Sequence, residues 1–96
     1  MEREEVLEES LRIVRRYLPG DEFRVYLFGS WAKGLAEPRS DIDLAILGTQ
    51  AVGTLLLSRL KGEIGSVPTL RCIDVVDLNQ TDESFRNEVL SYAQAL

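Results

Sequence analysis

Apolar positions near the start of the chain repeat at helical spacing. Leu7, Leu11, Val14 and Leu18 fall at i, i+4, i+7 and i+11, and Val6, Ile13 and Tyr17 widen the stripe. Glu2, Glu4 and Glu5 open this segment, Arg12, Arg15 and Arg16 close it, and Pro19-Gly20 stops it, so the pattern predicts an amphipathic helix over residues 2–18. Its role is scaffold. Phe23 to Phe28 is nearly continuous in apolar character and rich in aromatic and β-branched residues, which predicts a central strand. Gly29 to Gly34 then reads as a turn and a short helix, and 35–39 as an irregular loop, because Pro38 disfavours helix at Glu37. A second strand is expected over 41–47, with Ile42, Leu44 and Ile46 on its buried face and Asp41, Asp43 and Ala45 on the other. Gly48 and Thr49 end it and cap a helix over about 51–63, whose face carries Leu56, Leu60 and Ile64 beside Val52 and Leu57. After a turn at 65–68, Leu70 to Leu78 reads as a third strand. Asn79 or Thr81 caps a last helix with Asp82 and Glu83 in its first turn and Phe85, Val89, Tyr92 and Leu96 on one face.

Composition narrows the chemistry. The 96 residues are expected to form a single domain spanning 1–96, too small to include a separate substrate-binding domain, so a second substrate falls to another molecule to present. A makeup of 45% hydrophobic and 28% charged residues is that of a soluble globular protein. No apolar run approaches the roughly 20 residues of a membrane span, and the Glu-rich start is unlike a secretory signal, which implies a cytoplasmic protein with no membrane partner. Cys72 is the lone cysteine and cannot form an internal disulfide. There is no histidine, which removes the usual serine and cysteine triads and most zinc sites. Any catalysis must rest on carboxylates, hydroxyls, Lys or Arg with a hard cation. A net charge of −5 argues against direct nucleic-acid binding along the backbone.

Two short motifs supply candidate chemistry. Asp41 and Asp43, at i and i+2 of a strand, face the same way and share one site. Gly29-Ser30, at the end of the first strand, gives a tight turn opening a helix, where free N–H groups and the positive end of the dipole suit a phosphate chain. Asp74 and Asp77 are both flanked by apolar residues, but three positions apart on a strand they face opposite sides, so only one can join the pair. Asp74, at mid-strand, is the choice, and Asp77 reads as a solvated strand end. An EF-hand is excluded, since the sixth loop position counted from Asp41 is Ile46 rather than Gly and the twelfth is Val52 rather than Glu. Leu35 after Gly34 excludes a P-loop.

The joint order of strand, Gly29-Ser30, helical turn, Ser40-Asp41-Ile42-Asp43-Leu44 and a later strand with Asp74 resembles the nucleotidyltransferase superfamily that includes DNA polymerase beta. Gly-Ser-x-Ala-Lys-Gly followed by Ser-Asp-Ile-Asp-Leu is similar to its minimal nucleotidyltransferase group, in which this domain stands alone. The resemblance runs from Phe23 through the last helix and implies an α/β (α+β) fold, a small mixed β-sheet of at least three strands flanked by helices. It also implies transfer of a nucleoside monophosphate, AMP from ATP, to a hydroxyl, with pyrophosphate released. In that reading Asp41, Asp43 and Asp74 are the catalytic and metal-binding residues, with two magnesium ions as cofactors. Gly29, Ser30, Lys33 and Ser40 are the nucleotide-binding residues. Lys33 stands where relatives often carry Arg; it keeps a point charge without the bidentate fork, and a solvated helix residue is its plain alternative. Ser40 either touches phosphate or fixes the turn before Asp41, Arg39 adds charge nearby, and Trp31 stacks on a base, meets a partner or simply packs. The implied partner is a HEPN-domain protein, often a toxin ribonuclease, whose tyrosine is adenylylated by this chain as antitoxin. Two alternatives remain: a binding module that neutralises its partner by contact or pairs with a second copy, which exposed apolar residues on the first or last helix would support, and a nucleotide sensor.

Overall fold

In the computed structural model, which describes residues 2–96, four helices, a single 3-10 turn and four strands follow one another along the chain. Helix α1 spans Arg3–Tyr17, and its opening is held by the Glu5 carboxylate, which accepts from the Glu2 N–H at 3.4 Å. The buried stripe runs through Val6, Ser10, Ile13 and Val14, with Leu7 and Leu11 on its flank. It is thus turned slightly from the one expected around Leu7 and Leu11. Strand β1, Phe23–Phe28, has the expected bounds, and α2 is the single turn Ser30–Lys33.

Strand β2 is Ile42–Gly48, so Asp41 lies just outside it rather than within it. Helix α3, Thr54–Ile64, starts three residues later than expected and is preceded by extended Gly53 instead of a cap at Thr49. Strand β3 is only Ile73–Asp77. Its expected start at Leu70 fails because Pro68 and a turn in which Arg71 N–H donates to Thr69 Oγ1 at 3.1 Å occupy that stretch, leaving Leu70 exposed. A 3-10 turn, Leu78–Gln80, precedes α4, Glu83–Tyr92, which is capped by Asp82 accepting from Phe85 N–H at 2.7 Å rather than by Asn79 or Thr81. Leu96 lies beyond that helix, after the two-residue strand β4, Gln94–Ala95.

The sheet has the order β3-β2-β1-β4. β1 is antiparallel to β2 and to β4, whereas β2 and β3 are parallel, which demands the crossover that α3 supplies. Alternation along the strands gives two cores. Val25, Leu27, Ile42, Leu44, Ile46 and Val75 face α1 and α3, while Phe28 and Ala45 face the other way and pack with Leu78 and Val89 under α4. Among the described residues, no helix is long and apolar enough to cross a membrane.

Candidate active site

Strand direction brings the site together. β1 ends where β2 and β3 begin, so Gly29, Asp43 and Asp74 meet at one end of the sheet. Phe28 is the Cα partner of Asp43 across the antiparallel pair, and Asp43 is the partner of Asp74 across the parallel one. Residues in register point to the same face, the one shared with Ala45 and Val76, and neighbouring strands stand about 4.8 Å apart. Asp43 is half-buried, whereas Asp41 and Asp74 are exposed. Desolvation first, then the charges of Asp74 and Asp41, raise the Asp43 carboxyl above its ordinary 3.8. Asp43 thus senses both acidic neighbours, yet among the described residues no three acidic or thiol side chains gather tightly enough to enclose an ion unaided. An accumulation of carboxylates at a half-buried position fits a site completed by a hard cation.

Gly29 has φ 74 and ψ −155, a conformation essentially restricted to glycine, and a Cβ there would collide with Asp43 Oδ2. Backbone and carboxylate are in contact because residue 29 has no side chain. The four-residue α2 is too short to act as a long dipole, so its start offers local N–H groups instead. One of them is already engaged: the Gly29 N–H donates to Tyr92 Oη at 3.0 Å. Lys33 is exposed and its Nζ lies 4.7 Å from the centroid of the Tyr92 ring.

Ser40 fixes its turn, its Oγ accepting from Glu37 N–H at 2.8 Å. Trp31 packs, with its Nε1 donating to Ser40 O at 3.1 Å and the Arg3 and Arg71 guanidinium carbons 5.1 and 5.7 Å from its ring. Arg39 is exposed and lines a shallow cleft with Pro38, Thr69 and Leu70. The expectation of Asp77 as a solvated strand end is corrected. It is 4% exposed, faces the α1/α3 core, and accepts from Val52 N–H at 2.7 Å, Asn79 N–H at 3.0 Å and Gln80 Nε2 at 3.1 Å. Those bonds tie the end of β3 to the loop entering α3. The sequence places Tyr92 only on an apolar helix face, and no spacing in it links that residue to Gly29.

The description "Polymerase beta, Nucleotidyltransferase" belongs to the family model that matches residues 23–96. The chain belongs to this family, and within it to the minimal nucleotidyltransferase group. A curated relative, "Probable protein adenylyltransferase MntA" of Haemophilus influenzae, is 33% identical over 84 residues, covering 85% of this chain and 74% of that protein. Among solved structures, a minimal nucleotidyltransferase is 27% identical with TM-score 0.73, over 100% of this chain and 97% of that one. The MNT antitoxin in complex with a tri-AMPylated HEPN toxin of Shewanella oneidensis is 20% identical with TM-score 0.72, over 96% of this chain and 69% of that one, a likeness of fold.

Proposed function

We propose that this chain transfers AMP from ATP to a tyrosine hydroxyl of a HEPN-domain partner and so acts as its antitoxin. The observation that carries the reading is the register of Asp43 with Asp74 on parallel strands, beside a Gly29 turn that touches Asp43. Asp41, Asp43 and Asp74 would hold two magnesium ions, which when bound neutralise charge on the triphosphate and on the acceptor oxygen. Asp74 Oδ1 accepts from Val75 N–H at 3.1 Å, which fixes the carboxylate and leaves Oδ2 to orient the acceptor hydroxyl or take its proton. Gly29 lets the phosphate chain approach the backbone, and Ser30 and Lys33 supply a hydroxyl and a positive charge beside it. Catalysis of this kind is mainly in-line positioning and charge neutralisation. The relative named as an adenylyltransferase and the AMPylated toxin bound to an MNT antitoxin support AMP as the group transferred and a HEPN protein as acceptor.

A second reading, neutralisation by contact alone, is favoured by Phe85 and Leu90, which are exposed on α4. One experiment separates the two. The purified chain is incubated with labelled ATP and magnesium, with and without a purified HEPN-domain protein, and the products are read by mass spectrometry and pyrophosphate release. Adenylate on the partner, lost with Asp43→Asn, is the expected result. A stable complex without adduct, and neutralisation that needs neither ATP nor magnesium, would replace the enzyme reading with the contact one.

A further inference from the structure

The amide that a phosphate oxygen would seek at the Gly29 turn is already bonded. Its partner is Tyr92 Oη, 63 residues away in sequence and brought there by the last turn of α4. A phenol hydroxyl both accepts and donates, and this one spends its acceptor side on Gly29. Among the described residues its own proton goes to no acceptor, so the hydroxyl presents a donor where the turn itself would have presented one. The orientation is set from three directions. The Tyr92 ring packs against the Phe28, Ala45, Leu78 and Val89 cluster, the Gly29 N–H fixes the oxygen, and β4 pins the following residues to Tyr26 and Leu27 of β1. The same ring holds the Lys33 ammonium, 4.7 Å from its centroid, as a cation over a π face. A neutral donor and a positive charge are thus held beside one turn, next to the carboxylate site.

We propose that Tyr92 is a triphosphate-binding residue: its hydroxyl, oriented by the Gly29 N–H, donates to a non-bridging oxygen of the β- or γ-phosphate, and its ring positions Lys33 for the same groups. This rests on the reading of the site as one for a nucleoside triphosphate, and it assigns the phosphate contact to a side chain of α4 instead of to the Gly29 amide directly. In the order β3-β2-β1-β4, Tyr92 lies on the β1 side, away from Asp74. That separation makes it a ligand of the leaving pyrophosphate rather than an acceptor of the transferred group.

Calorimetric titration of the full chain with ATP and with AMP, in magnesium, tests the assignment. Tyr92→Phe keeps the ring, its packing and its hold on Lys33, and removes only the oxygen. The expected result is ATP binding weakened by about tenfold, the loss of one hydrogen bond to a charged oxygen, with AMP binding unchanged because AMP lacks those phosphates. Tyr92→Leu, which also releases Lys33, should weaken ATP binding further, and the part of the affinity that salt screens should shrink. Melting curves show whether each variant is folded. Unaltered ATP affinity in Tyr92→Phe, with the freed Gly29 N–H meeting phosphate directly, overturns this assignment and leaves the proposed function standing. A wild-type chain that binds no ATP overturns both.

Discussion

Gly29 lies directly against Asp43: a Cβ added at residue 29 would run into Oδ2 and stand 3.0 Å from Cγ of that carboxylate. Gly29→Ala therefore strikes twice. The backbone at φ 74 and ψ −155 costs a side-chain-bearing residue about 1–3 kcal/mol, and the Asp43 carboxylate must swing away. The expected outcome is a modest fall in melting temperature and, because displacing a catalytic group by about 1 Å can cost about 100-fold, a loss of adenylyl transfer of that order. Parallel melting and turnover measurements check it; turnover near that of the wild type would mean the turn does not govern Asp43.

Asp43 titrates above an ordinary carboxylate because burial and its acidic neighbours disfavour its charge. The folded state thus binds this proton more tightly than the unfolded state, and the group's contribution to stability falls as pH rises from 3.8 through the raised folded pKa. Above that window the ionised carboxylate is a burden. Asp43→Asn should melt higher than the wild type at neutral pH in chelator, with the difference closing as pH falls into the window. Magnesium should raise the melting temperature of the wild type and do little for the variant. Scanning fluorimetry across pH, with chelator or magnesium, reads both effects.

Asp74 and Asp77 separate site from scaffold. Asp77→Ala leaves the buried Val52 N–H without its acceptor, at about 1–3 kcal/mol, and frees the half-buried Asn79 N–H as well. Asp74→Ala removes an exposed side chain and should leave stability nearly unchanged while abolishing transfer. Chemical denaturation paired with the adenylation assay distinguishes them. A stable, inactive Asp77 variant beside an active Asp74 variant would reverse the assignment.

Ser10 is fully buried in α1 and, among the described residues, its hydroxyl has no hydrogen-bond partner. Ser10→Ala removes that unpaired group and improves helix propensity, so stability should rise by about 1 kcal/mol. In a chain of this size that is a melting temperature about 4–8 °C higher. A drop on substitution would reveal a water or partner group satisfying the hydroxyl.

The sequence makes some of this legible and hides the rest for physical reasons. β1 could be bounded because an unbroken apolar run ends at Gly29, and the opposite facing of Asp74 and Asp77 follows from strand periodicity alone. The fate of Asp77 could not be read, since its donors at Val52 and Gln80 come from a loop and a 3-10 turn that no pattern places. The start of α3 lies beyond the reach of the pattern, because Thr49 resembles a cap and Gly53, the extended residue before the helix, reads only as a weak point in a first turn. β4 has two residues and no alternation to detect. Tyr92 shows the sharpest limit. Its ring obeys the helical stripe, but the target of its hydroxyl lies 63 residues away and depends on the closed sheet.

Strand order also divides the labour of the molecule. Asp74 stands on an edge strand, while Gly29 and Tyr92 stand beyond β2, on the far side of Asp43. On the proposed assignment, in which Asp74 meets the acceptor and Gly29 the nucleotide, substitutions along the outer rim of β3 would reshape what docks beside Asp74 without disturbing the turn that holds Gly29. A lineage built on this sheet could then exchange one recipient for another at a single border while handing down its nucleotide end intact.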